Sequence, residues 1–163
     1  MTQTKMMLTK AGADRIRERL YRLERIERKK ISESIASARA HGDLSENAEY
    51  HAAKEKQGLT EAHIRSLRAA LTNSMLVDVN ALTSGNLVEF GMTVTLLRLS
   101  DELKLTFQIV GELEADASEG RIAQSSPIAK AVLGKSLEDV VVVETPEGEI
   151  EYEILEIAVN PEG

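Results

Sequence analysis

The sequence predicts an α+β chain in two parts: an N-terminal antiparallel α-helical coiled-coil hairpin, then a small antiparallel β domain with one short helix. Three observations predict it. Apolar residues recur at spacings of three and four in two runs, Ile16 to Ala38 and Ala48 to Leu71. Only a short polar stretch separates those runs. After Ser74 the pattern changes to two-residue alternation. Residues 1–76 are therefore assigned to the hairpin, with its tip at 41–50, and 77–163 to a globular domain.

The first helix is expected from about Thr9 to Ala40, a stretch without proline and without glycine after Gly12. Its stripe runs through Ile16, Leu20, Leu23, Ile26, Ile31, Ile35 and Ala38, and the step from Ile26 to Ile31 breaks a perfect heptad. Arg15, Arg17, Arg19, Arg22, Arg25, Arg28, Lys29 and Lys30 are placed on the opposite face. The second helix is expected from about Glu46 to Asn73, with Ala48, Ala52, Leu59, Ile64, Leu67 and Leu71 as its stripe. Gly58 lies inside it at a cost of about 1 kcal/mol relative to Ala, which a long packed helix absorbs. Neither stripe can be buried alone, and the short connection forces an antiparallel hairpin. About thirty residues per helix give an arm on the order of 45 Å long. Near the turn the inward positions are expected to be Ala36, Ala38, Ala40, Ala48 and Ala52. Small residues there suit a slim tip entering a narrow opening, and equally suit plain helix propensity.

At the tip, Gly42 can end the first helix in the left-handed conformation. Asp43 followed three residues later by Glu46 matches a capping box, and acidic residues in a first turn complement the helix dipole. Capping uses one or two carboxylates, however, and the tip offers Asp43, Glu46 and Glu49. Carboxylates three apart lie on one side of a helix start, roughly 5–6 Å apart at Cβ. Oxygen donors at that spacing suit Mg²⁺, which is often held by one or two carboxylates plus phosphates and water. A partner would have to complete such a site.

In the second half, strands are expected at Leu87 to Leu99, Leu103 to Val110, Val140 to Glu144 and Glu149 to Ile157. Pro146-Glu147-Gly148 is the turn before the last of them. A short helix is expected after Pro127, with Ser126 as its N-cap and Gly134 at its end.

Composition bounds the function. The 163 residues are 42% hydrophobic and 29% charged, which describes an ordinary soluble chain rather than a disordered one. No apolar run approaches the roughly 20 residues of a membrane span, and the polar N-terminus lacks a signal-peptide profile. The absence of cysteine excludes disulfides and thiolate metal sites and fits a reducing compartment, so a cytoplasmic location is expected. The net charge of −7 divides unevenly. Residues 1–74 carry 15 Lys and Arg against 10 Asp and Glu, a balance of +5, while residues 75–163 carry 5 against 17, a balance of −12. The acidic half repels nucleic acid, whereas the basic half can approach a phosphate backbone or an acidic partner.

The run from Gly42 to Gln57, GDLSENAEYHAAKEKQ, resembles the signature of the Gre family of bacterial transcript cleavage factors. Shorter matches follow in family order: Met7 to Gly12, Val88 to Gly91 leading into Thr93-Val94-Thr95, Ile109 to Gly111, Ser126 to Ala129, Leu133 to Lys135, and Thr145-Pro146 with the residues after it. The resemblance implies an FKBP-like fold for the globular domain. It implies an elongation factor that is not itself an enzyme, whose arm enters the secondary channel of RNA polymerase. There Asp43 and Glu46 would share Mg²⁺ with the polymerase and help it cleave the 3′ end of a backtracked nascent RNA. Arg39, Asn47, Tyr50 and Lys54 are candidates for contact with RNA or the channel wall. Packing remains open for Asn47 and Tyr50, and Lys54 stands where arginine is common in the family, so it offers a point charge only. Glu49 is assigned to the helix start, and His41 and His51 to capping or solvation. Ser126 and Pro127 are candidates for docking on the polymerase rim, or simply start their helix. The factor is expected to be a monomer. The alternatives are a channel-plugging inhibitor of the same fold, against which Asp43 and Glu46 argue, and a free-standing chaperone or isomerase, for which the 3% aromatic content offers no pocket.

Overall fold

The computed structural model describes residues 6–42, 47–83 and 85–159. Two compact units emerge: Ala13–Ser74, and Met1–Gly12 together with Met75–Gly163. The chain thus leaves the globular unit within its first helix and returns after its last long one.

The helical unit begins inside α1 (Lys10–Arg22), passes through a π turn at Leu23–Glu27, and continues as α2 (Arg28–Arg39). The π turn falls where the apolar spacing widens: the Arg28 N–H reaches back five residues to the Leu23 carbonyl. It alters which residues face inward. Ile26, expected in the stripe, is 45% exposed, while Glu24, Glu27 and Arg28 are half-buried. These charges are met from α3 (Ala48–Asn73). Arg28 forms a two-pronged pair with Glu61 at 2.6 and 2.7 Å, and Arg68 binds Glu24 at 2.8 and 2.5 Å. The bidentate hydrogen bond from Arg28 lowers the Glu61 carboxyl pKa, and the same bond raises that of Arg28. Arg28 therefore belongs to the seam and not to the outer face expected of it.

The α3 stripe is also shifted. Ala53, Ile64, Leu67 and Ala70 are buried, with Gln57 and Thr60 half-buried between them and Tyr50 half-buried one step before. Leu59 is 67% exposed, and Ala48 and Ala52 face outward. The inward positions step by three and four from Tyr50 onward, and this phase differs from the one that Leu59 suggests. Of the alanines expected inside near the turn, only Ala38 is buried on α2; Ala36 and Ala40 are exposed. Ser34, Ser37, Ala52 and Ala53 line an open groove on one side of the hairpin.

The globular unit holds a five-stranded sheet ordered β5-β4-β3-β7-β6, made of β3 (Thr93–Arg98), β4 (Leu103–Val110), β5 (Arg121–Ala123), β6 (Val140–Thr145) and β7 (Gly148–Ala158). All pairs are antiparallel except β4 with β5. Alternation puts Val94, Leu96, Val141, Val143, Tyr152 and Ile154 on the covered face, and a bulge in β7 at Leu155 returns Ile157 to that face as well. The helix α4 (Pro127–Val132) adds Ala129 and Val132 to this core. The strand expected from Leu87 is shorter: β3 begins at Thr93, and residues 87–92 hold an isolated bridge from Leu87 to Ser136 and single backbone bonds joining Gly91 and Met92 to Ile109.

A second sheet is absent from the sequence expectation. β1 (Met7–Thr9) pairs in parallel with β2 (Met75–Val77) and joins the N-terminal residues to the globular unit. Glu114, 5% exposed, fastens this joint. Its carboxylate accepts the Thr9 N–H and the Gly111 N–H at 3.0 Å each, and the Thr9 hydroxyl as well. The Thr9 Oγ1 in turn accepts the Gly12 N–H, capping α1. A Cβ on Gly12 would collide with the Glu114 carboxylate, so glycine is required there by the buried group beside it.

Candidate functional site at the hairpin tip

Among the described residues Asn47 hydrogen-bonds both sides of the reversal. Asn47, at φ −83° and ψ 102°, is the N-cap of α3, and its Oδ1 accepts the Tyr50 N–H at 3.1 Å. Its Nδ2 donates to the Ala38 carbonyl at 2.7 Å. A single amide thus satisfies an orphan N–H at the start of one helix and a carbonyl in the last turn of the other. The N-cap expected at Asp43 falls at Asn47 instead. An amide offers both a donor and an acceptor, whereas a carboxylate only accepts. Asp43 and Glu46, the candidate catalytic and metal-binding carboxylates, lie outside the described residues. On the other side of them Gly42 has φ +110°, the left-handed geometry expected where the first helix ends.

The described flanks carry complementary charge. Arg39 lies in the last turn of α2 and Glu49 in the first turn of α3, each of the sign that favours its helix end. His41 Nδ1 lies 3.4 Å from Glu49 Oε2 across the reversal. Glu49 therefore supports the helix start, as expected, and reaches the facing helix end too. Tyr50 is half-buried and meets the His51 ring edge-on at 5.7 Å. Lys54 is exposed and donates to Gln57 Oε1 at 3.0 Å. Asn47 and Tyr50 thus have structural duties in the hairpin, while Arg39 and Lys54 present their charge to solvent.

Among the described residues, no group of three or more His, Asp or Glu side chains is placed to hold a metal. The donors that the tip offers are carboxylate oxygens, chemically suited to Mg²⁺. Ser126 and Pro127 belong to the other unit. Ser126 Oγ accepts the Ala129 N–H at 3.2 Å as the N-cap of α4, and Pro127 occupies its first turn with an exposed ring. Leu133 caps the end of α4, and Gly134 follows at φ +80°.

Sequence reasoning missed the double role of Asn47 and the clamp at Glu114. The first had a signal, an Asx residue three positions before a helical N–H, which the stronger capping-box pattern at Asp43 and Glu46 overshadowed. The second joins residues 105 apart and has no local signal.

Both units have known relatives. Residues 6–75 match the family model described as transcription elongation factor, N-terminal, and residues 83–159 match transcription elongation factor, GreA/GreB, C-terminal. Transcription elongation factor GreA of Legionella pneumophila strain Corby is 47% identical over 154 residues, covering 94% of this chain and 96% of its own. GreA of Yersinia pestis bv. Antiqua strain Angola is 47% identical over 150 residues, covering 92% and 95%. The solved Thermus aquaticus Gfh1 is 26% identical, with coverage of 96% and 99% and a TM-score of 0.42. Two matched halves in this order define a transcription elongation factor. The chain belongs to the GreA/GreB family.

Proposed function

We propose that this elongation factor binds RNA polymerase, inserts the hairpin tip into the secondary channel and stimulates the polymerase's own cleavage of backtracked nascent RNA. The observation that carries the reading is that Asn47 hydrogen-bonds both sides of the reversal. Its bonds to Tyr50 N–H and Ala38 carbonyl hold the two helix ends that flank Asp43 and Glu46. The bonds join the two helix ends from which those carboxylates would be presented, and a group acting inside another protein needs such a fixed base.

Asp43 and Glu46 would hold Mg²⁺ jointly with the polymerase, and Arg39 and Lys54 would attract the RNA 3′ end. Mg²⁺ so bound supplies the charge stabilisation and water activation that phosphodiester hydrolysis needs. Neither carboxylate needs a pocket in this chain, because the remaining ligands belong to the partner. The globular unit would dock on the channel rim, with the exposed Pro127 as part of the contact. The chain acts in this reading as a factor and not as the catalyst, in the cytoplasm where the polymerase works.

Stalled, backtracked elongation complexes provide the test. The parent protein should accelerate release of the RNA 3′ fragment. Asp43→Ala with Glu46→Ala should lose that acceleration by about two orders of magnitude or more, the scale of removing a charge-stabilising group. The double variant should still compete with the parent for the same complexes. Cleavage by the variant at the parent's rate would overturn the reading, as would inhibition by the parent.

A further inference from the structure

We propose that the free edge of β6 is a docking strip for an extended, basic segment of a partner protein, taken up as an additional strand. The inference does not rest on the polymerase reading.

Among the described residues β6 ends the sheet and is paired with β7 alone. In an antiparallel pair the ladder bonds alternate, so every second residue of an edge strand turns its N–H and C=O outward. Val141 and Val143 are buried, whereas Val140 is 54% and Val142 47% exposed. Edges of this kind are usually blunted by lysine, proline or a bulge. None of these occurs between Val140 and Thr145, and Pro146 only bounds the strip at one end. Six residues with two outward valines are thus left as a template.

Charge selects the occupant. From Val140 to Ala158 the chain has six glutamates and no lysine or arginine. Glu153, Glu151 and Glu149 on β7 stand directly opposite Val140, Val142 and Glu144, so they share the outer face with the valines. None of these glutamates forms an ion pair with a cation of the described chain. A nucleic acid or an anionic membrane would be repelled. A second copy of the strip would bring its own glutamates alongside. An added strand of alternating basic and aliphatic residues fits instead. Its aliphatic side chains would extend the covered face beside Val141 and Val143. Its lysines or arginines would lay their stems over Val140 and Val142 and reach the β7 carboxylates, about 10 Å or two strand spacings away. Main-chain bonds would supply affinity and the alternation specificity.

The test titrates the isotope-labelled full chain with a synthetic heptapeptide of alternating lysine and valine, followed by backbone amide NMR and hydrogen exchange. The expected result is saturable binding, with shifts concentrated on 140–145 and new protection at alternate amides there. Glu151→Lys with Glu153→Lys should weaken binding about tenfold or more, as should raising the salt concentration. Val142→Lys is a second variant that leaves the covered face intact. Absence of binding would overturn the proposal. So would equal affinity for the glutamate–valine heptapeptide, shifts spread over the acidic surface without new protection in β6, or displacement of the peptide from those amides by single-stranded RNA.

Discussion

Single residues decide how this chain is tied together. Glu114 is buried with three donors aimed at it, two backbone N–H groups and the Thr9 hydroxyl. Glu114→Ala would leave those donors dry, and unsatisfied buried groups cost about 1–3 kcal/mol each. We expect the globular unit to lose about 3 kcal/mol or more in urea denaturation, and Gly12→Ala to be similarly damaging because its Cβ collides with the same carboxylate. Asn47→Ala removes a cap and a cross-helix bond at once, and should cost the hairpin about 1–2 kcal/mol by the same measurement. Asp101 gives a pH signature. Its bidentate hydrogen bond from Arg98 lowers its pKa from 3.8 to about 2. A depressed carboxyl pKa stabilises the fold above the unfolded value and loses that contribution as the folded pKa is approached. The melting-temperature gap between the parent and Asp101→Asn should therefore be full above about pH 5 and close as the pH falls toward about 2.

At the scale of elements, the hairpin seam is part apolar and part ionic. The change occurs at the π turn, where Glu24, Glu27 and Arg28 replace the expected Ile26 as inward residues. Removing Glu61 alone should lower the melting temperature, because Arg28 keeps its half-buried place without a partner. Arg28→Leu with Glu61→Leu should recover that loss or exceed it, since well-packed apolar pairs commonly match such ion pairs. Circular dichroism of the four proteins in that cycle checks it. Gly58 sits in α3 with nothing within 4 Å of a built Cβ, so Gly58→Ala should stabilise by about 1 kcal/mol through helix propensity alone. Much of the element plan was legible: α3 ends at Asn73, β4 spans Leu103–Val110, and α4 follows a Ser126 cap and Pro127 as expected. β1, β2 and β5 were not legible, because three residues are too few to show a period and their partners are distant in sequence.

At the scale of the whole molecule, the sequence boundary at 76 and 77 differs from the division into compact units. The N-terminal residues complete the globular unit through β1, with Leu8 and Thr9 fully buried. A chain lacking residues 1–9 should therefore lose several kcal/mol from the globular unit, since burying one leucine alone is worth about 2–5 kcal/mol by its removal. Urea denaturation followed by amide resonances of β3 and β7 measures this. The candidate site followed the opposite course. Its residue types and their order were plain in the sequence, because they form one contiguous stretch from Gly42 to Gln57. What the sequence did not disclose was the Asn47 bond to Ala38, which depends on two antiparallel helices placed in a definite register.

By itself the sequence determined the α+β class, the helical hairpin, the period of the main strands, the family and the acidic tip, because each is written in local spacing or in a contiguous motif. The tertiary structure alone decided the inward face of each helix around the π turn, the return of the N-terminus into the globular unit, and the clamp of Glu114 on Thr9. These depend on contacts between residues far apart in the chain. Such contacts are selected by packing and by the need to satisfy buried polar groups, neither of which leaves a periodic trace.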